Sequence, residues 1–240
     1  MLFILILIVF IIPFLFNNQE NFATSMTKEN IINLKKGQKV LNYMLKTFKN
    51  ICDQHHIKYI IWGGTLIGAH YFQDFVPWDG DIDLMIDERD KEKFIEVMKN
   101  QLPKDLWFQS KETDRLYHSH IHKIRYLNGY YEGSEKFGWH GGLMIDICYF
   151  KIENGHFKST APDNDNFNFQ EIKVNDIFPL KELKFNNIYL TTFNNYQKYL
   201  NIRYPNHQKY LPKEQQKPHE GNIIFGINDF HKKNYPKFYT

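Results

Sequence analysis

Apolar positions along the chain follow two rhythms, one helical and one strand-like, and the switches between them mark the elements. Ile31, Leu34, Val40, Leu41, Met44, Leu45, Phe48, Ile51 and Cys52 recur at helical spacing, which predicts a helix capped by Thr27, with Gly37 a candidate break. It ends at His55-His56, whose polarity suits a solvated helix end. The apolar, β-branched run 57–62 predicts a strand that stops at Gly63-Gly64, and Thr65 then opens a short helical pattern through Leu66, Ile67, Ala69 and Phe72. Pro77-Trp78-Asp79-Gly80 is a turn signal, and residues 81–86 alternate as a strand with Ile82, Leu84 and Ile86 inward. A charged amphipathic helix over 88–101 turns Phe94, Ile95 and Met98 inward, with Pro103 closing it. A short strand at 106–109 and a polar loop lead to a strand at 117–127, which Asn128-Gly129 turns into a hairpin toward Tyr130-Tyr131. The glycine-rich stretch 133–142 then enters an apolar strand at 143–150, and Asn154-Gly155 makes another hairpin turn. Residues 161–170 form a polar, Asn/Asp-rich loop.

Chemistry-bearing residues gather at the edges of the two most apolar strands. Residues two apart in a strand share a face, so Asp81 and Asp83 point the same way. Two like charges side by side are tolerable if a divalent cation lies between them, and hard oxygen ligands with open positions suit Mg²⁺ or Mn²⁺. Asp79 is either a third carboxylate of that group or an Asx-type turn residue. Gly63 and Gly64 let the backbone approach a ligand, and the unpaired N–H groups at the helix start, with Thr65, suit phosphate, although a Gly-Gly pair also serves as a plain turn. Asp146 interrupts an apolar run and would be buried at large cost unless it pairs or coordinates metal. Either its strand lies beside that of Asp81 and completes a carboxylate triad, or Asp146 pairs with Arg125 at a bulge. Lys123 and Arg125 are candidate pyrophosphate contacts, against the alternative of solvated charges on a sheet face. His118, His120 and His122 alternate onto one face, which permits a zinc site, although three positions in line along one strand usually need a second element to complete a tetrahedral ligand set.

These residues carry a family resemblance. Gly64-Thr65-Leu66-Ile67-Gly68-Ala69, followed by Phe75-Val76-Pro77-Trp78-Asp79-Gly80-Asp81-Ile82-Asp83, resembles the signature of the LicD-type family, which includes fukutin and fukutin-related protein. The segment from Asp176-Ile177-Phe178-Pro179 through the turn at Asn186-Asn187 to Pro205 and Pro212 resembles the closing part of the same domains. The resemblance implies an α/β nucleotidyltransferase (polymerase β-like) fold, a mixed sheet flanked by helices. It implies transfer of a phospho-alcohol such as phosphocholine or ribitol phosphate from a CDP-alcohol donor to a glycan acceptor, with Asp81, Asp83 and Asp146 as the catalytic carboxylates holding Mg or Mn. Two positions depart from the pattern: Tyr71 stands where the family usually has an Arg, and Asp79-Gly80-Asp81 stands where an unbroken acidic run is common.

Composition adds an address and removes some partners. A chain of 240 residues with 42% hydrophobic content has room for one substantial core. A net charge of +3 with 17% aromatic residues is neither a polybasic nucleic-acid binder nor a disordered acidic tail. Residues 2–16 are unbroken apolar except for Pro13, which directs the chain to a membrane. The run is shorter than the roughly 20 residues a spanning helix needs, and Ala23-Thr24-Ser25 offers a cleavage pattern, so a signal peptide competes with a retained type II anchor. The anchor fits the resembled Golgi enzymes, and either form places the domain in the secretory lumen or outside the cell. The expected division is 1–25 leader, 26–56 helical region, 57–212 catalytic domain and 213–240 polar tail of unassigned role. Cys52 and Cys148 allow one disulfide or two buried thiols. Two other function classes share some of these features. An Mn²⁺-dependent glycosyltransferase also uses an Asp-x-Asp pair, and a non-catalytic glycan-binding relative would fit Tyr71.

Overall fold

A computed structural model describes residues 26–159 and 171–239; the leader and the 161–170 loop lie outside these residues. The first helix, α1 (Lys28–Gln54), starts where Thr27 Oγ1 accepts the Asn30 N–H at 3.1 Å. It buries Leu34, Leu41, Met44, Leu45, Phe48, Ile51 and Cys52 along one face. Gly37 does not break it. A Cβ there would stand 2.3 Å from Ile223 Cδ1, so the glycine is the notch against which a later strand packs.

The main sheet runs in the order β1 (Tyr59–Ile61), β2 (Ile82–Asp87), β6 (Met144–Glu153), β4 (His122–Tyr126) and β3 (Leu106–Gln109), with β7 (His156–Ser159) on the far half of β6. β2 and β6 are parallel and every other pairing in it is antiparallel, so the sheet is mixed and the fold is mixed α/β. Between β1 and β2 lies α2 (Gly63–Tyr71), and between β2 and β3 lies α3 (Lys91–Gln101). The helices close the core through aromatic edges: Phe48 of α1 meets Tyr59 and Phe94, with ring centroids 5.1 and 6.1 Å apart, and Phe94 of α3 meets Phe108 at 6.0 Å. α4 (Val174–Ile177) precedes the hairpin β8 (Lys181–Phe185) and β9 (Ile188–Thr192), whose Asn186 takes a positive φ of 53°. Thr192 Oγ1 donates to Ile61 O at 3.0 Å, which ties β9 to the short edge strand β1.

Several expectations change in three dimensions. Asn128-Gly129 makes no β-hairpin: β5 (Gly129–Tyr131) pairs instead with β10 (Ile223–Phe225). The reason is that β4 already has β3 on one edge and β6 on the other, leaving no edge for its sequence neighbour. The β4 strand begins only at His122, so His118 and His120 sit in a loop and the three histidines share no face. His122 Nδ1 lies instead 2.7 Å from the Tyr149 hydroxyl. Asn154-Gly155 does turn β6 into β7, with φ of 52° and 79°, as two-residue hairpins require. Cys52 and Cys148 are both free and buried, and no disulfide joins them.

The chain after α5 (Tyr196–Arg203) folds back over the domain. It supplies β10 and α6 (Asp229–Asn234), and its end packs Tyr235 and Phe238 against Trp107 at 5.7 and 4.8 Å. Among the described residues no helix is long and apolar enough to cross a membrane.

Candidate functional site

The parallel pairing of β2 with β6 sets Asp83 directly beside Asp146, partner positions in the register. On the other side of β6 the register places Lys123 of β4 opposite Asp146, and Lys123 Nζ lies 2.5 Å from Asp146 Oδ1. Asp81 precedes the first residue of β2, and Asp79 precedes Asp81 in the turn. That turn is held from two sides. Gln38 of α1 donates to Asp79 O at 3.0 Å, and Tyr131 donates its hydroxyl proton to Gly80 O at 2.7 Å while accepting the Met144 N–H.

The α2 N-terminus is engaged by the protein itself. Gly64 N–H donates to Asp83 Oδ2 at 3.1 Å, and Thr65 Oγ1 accepts the Asp83 N–H at 2.9 Å. Gly63 and Gly64 are therefore glycines because carboxylates press on them. A Cβ at Gly63, whose φ is +55°, would lie 2.2 Å from Asp83 Oδ2, and one at Gly64 would lie 2.4 Å from Asp79 Oδ2. The first task of this Gly-Gly-Thr turn is to seat aspartates, and its helix-start N–H, expected to face phosphate, faces Asp83.

Arg125 does not join the cluster. It is 3% exposed and donates to Gln109 Oε1 at 2.7 Å and Gly142 O at 2.6 Å, while Asp146 takes Lys123 as partner. Tyr71, at the far end of α2, keeps its hydroxyl 2.9 Å from His207 Nδ1.

Two residues with no periodic or motif signal complete the site. His219 and Glu220, from the C-terminal arm, lie against the turn, and one ligand atom each of Asp79, His219 and Glu220 fall within 4.8 Å of one another. His219 Nε2 is 2.5 Å from Glu220 Oε1 and 4.0 Å from Asp81 Oδ2. In sequence the pair is only a polar dipeptide after Pro218, with nothing to mark it.

The electrostatics are those of crowded, buried acids. Burial, with Glu220 and Asp83 nearby, pushes the Asp79 carboxyl up to about 8. Burial and the Asp146 charge push Asp83 up to about 7 against the opposing pull of the Gly64 N–H. Asp81 is raised well above the usual range by burial and by Asp83, Glu220, Asp79 and Asp146. Contact with Glu220 raises His219 to about 9. Buried Asp79 Oδ2, Asp81 Oδ1 and Glu220 Oε2 have no hydrogen-bond partner among the described residues. Orphaned carboxylate oxygens converging from a turn and an arm fit a divalent cation, and the oxygen-dominated donor set suits a hard one.

This cluster sets a pH dependence. Unfolded aspartates ionise near about 3.9, whereas Asp83 and Asp79 ionise at about 7 and about 8 in the folded chain. The folded state thus holds more protons between those values, and stability is lost as pH rises through them. The groups facing these aspartates are Asp81, Asp146, Glu220, His219 and, through Asp146, Lys123. In EDTA the unfolding free energy is expected to fall by on the order of a few kcal/mol between pH 5 and 8, and Mn²⁺ is expected to flatten the fall. Denaturant titrations at several pH values check it; a profile identical with and without Mn²⁺ would rule out cation relief of this cluster.

Residues 56–195 match the family model described as LicD/FKTN/FKRP, nucleotidyltransferase domain. A stretch of 78 residues is 35% identical to the lipopolysaccharide cholinephosphotransferase LicD of Haemophilus influenzae, covering 32% of this chain and 26% of that protein. The aligned stretch therefore spans about a quarter of the relative's length. The matched region takes in Asp79, Asp81, Asp83, Lys123 and Asp146 and leaves out α1 before it and the arm carrying Glu220 after it.

Proposed function

The chain belongs to the LicD/FKTN/FKRP nucleotidyltransferase-domain family, and from that premise we propose that it transfers a phospho-alcohol, such as phosphocholine, from a CDP-alcohol donor to a glycan hydroxyl in a reaction dependent on Mg²⁺ or Mn²⁺. The observation that carries the reading is the β2–β6 register, which sets Asp83 beside Asp146 under a turn bearing Asp81 and Asp79. In the reaction the glycan oxygen bonds to the alcohol-bearing phosphorus, the bond from that phosphorus to the bridging oxygen breaks, and CMP leaves. A divalent cation bound by Asp81, Asp83 and Asp146, with Asp79 at the turn, supplies charge neutralisation for the pyrophosphate and the transferring group.

The remaining work falls to side chains of this chain. Lys123, 11% exposed, pairs with Asp146 and is the cation best placed to meet a donor phosphate at that edge. Gly63, Gly64 and Thr65 orient Asp83 through its backbone and one carboxylate oxygen. The hydroxyl proton goes to the cluster, whose carboxylates are basic enough near neutral pH because burial and mutual repulsion raise them. Residues 57–212 make up the proposed catalytic unit, in a polymerase β-like arrangement. The apolar run at 2–16 supports placing it in the secretory lumen, on a type II anchor or after signal cleavage.

Calorimetric titration of the full chain with CDP and UDP, in Mn²⁺ or in EDTA, tests the reading. CDP binding that requires Mn²⁺ is the expected result, and Lys123→Met should weaken it about ten- to a hundredfold, the worth of a hydrogen bond to a charged group. A preference for UDP would replace the phospho-alcohol transferase by a glycosyltransferase. Absence of nucleotide binding in every condition would leave a glycan-binding relative.

A further inference from the structure

The arm that follows the family-matched region places a carboxylate where a surface segment has no structural use for one. Glu220 sits on an exposed polar stretch beside His219, whose side chain is 78% exposed, yet the Glu220 side chain is only 2% exposed. Among the described residues its Oε2 has no hydrogen-bond partner, and Asp79 Oδ2, also buried, has none either. Two buried acids this close, with one imidazole beside them, are costly unless a further positive charge joins them.

The backbone around Glu220 is built to bring it there. Directly after it, Gly221 has a φ of +111°, and a Cβ at that position would lie 2.8 Å from Glu132 O. One residue further, Asn222 O accepts the Glu132 N–H at 2.8 Å and Asn222 Nδ2 donates to Glu132 Oε2 at 2.8 Å, and β10 then pairs with β5. On the opposite side the turn makes room: a Cβ at Gly80 would lie 2.9 Å from Glu220 Oε2 and 3.3 Å from Pro218 Cβ. The approach of Glu220 to the aspartates is thus fixed by sheet pairing on one side and by a missing side chain on the other.

We propose that the C-terminal arm is a working part of the cation site, with Glu220 and Asp79 ligating a hard divalent cation and His219 closing the same site from the solvent side. The proposal rests on the cation-dependent reading of the aspartate cluster and adds a ligand that the family-matched region does not contain.

The test uses the full chain stripped with EDTA and titrated with Mn²⁺ by electron paramagnetic resonance, without nucleotide, alongside thermal unfolding with and without Mn²⁺. Glu220→Gln should weaken Mn²⁺ binding about tenfold or more and lose most of the Mn²⁺-induced rise in Tm. In EDTA the same variant should melt no lower than the parent, because a repelling buried charge has gone; a residue serving only packing would lower Tm there. Gly80→Ala gives an independent measurement: it keeps Glu220 but pushes its carboxylate aside, and should also weaken Mn²⁺. If Glu220→Gln fails to fold, Gly80→Ala decides. Mn²⁺ affinity within about twofold of the parent in Gly80→Ala, or in a folded Glu220→Gln, overturns the proposal. Asp83→Asn separates the two levels: loss of Mn²⁺ there with none in the arm variants sinks the arm's role and leaves the aspartate reading intact. A parent chain that binds no Mn²⁺ sinks both.

Discussion

Asp83→Asn should lower turnover of a CDP-alcohol donor, followed as CMP release, by about 10²–10³-fold or more, the scale of removing one preorganised electrostatic contact at a reacting centre. The substitution is nearly isosteric. Its amide oxygen can still accept the Gly64 N–H, and its backbone N–H still reaches Thr65 Oγ1, so the β2–α2 junction keeps its geometry. What goes is the charge beside Asp146, in a cluster where burial already raises Asp83 to about 7. Stability in EDTA should therefore hold or rise while turnover collapses. A variant with activity within a fewfold of the parent would remove Asp83 from the reaction, and one that unfolds in EDTA would make Asp83 a structural residue.

Phe48→Ala should cost about 3–5 kcal/mol of stability, the usual loss for truncating a buried phenyl ring. Phe48 is fully buried and makes T-shaped ring contacts with both Tyr59 and Phe94, so it joins α1 to the edge strand and to α3 at once. α1 also holds the turn that carries Asp79 and Asp81, through Gln38. The helix lies before the family-matched region, and the size of the loss measures how far the working domain depends on it. Denaturant unfolding gives the value; a change below about 1 kcal/mol would mean that α1 packs loosely and that the domain core ends near residue 56.

Local elements were largely legible because their signals are local. Thr27 caps α1 as its hydroxyl at the start of a periodic run implies, and Asn154-Gly155 turns β6 into β7 because both residues accept positive φ. Asp146 stood out for a physical reason that needs no fold: a carboxylate in an apolar run must find a partner. Which partner it finds was not legible. Lys123 and Arg125 alternate identically, and only the β4–β6 register decides that Lys123 meets Asp146 while Arg125 turns to Gln109 and Gly142. The hairpin expected at Asn128-Gly129 failed for a related reason, since turn chemistry says nothing about whether a strand edge is already taken.

The sequence by itself determined the family, the mixed α/β class and the aspartates around which the site is built, because these rest on motif spacing and on the two-residue period of strands. The tertiary structure alone decided that β2 and β6 run side by side in parallel, that the Gly-Gly-Thr turn seats Asp83, and that Glu220, more than 130 residues further along the chain, reaches the same cluster. Those facts depend on long-range pairing, where strand edges, burial and repulsion are settled jointly by residues far apart in sequence, and no local pattern carries that information.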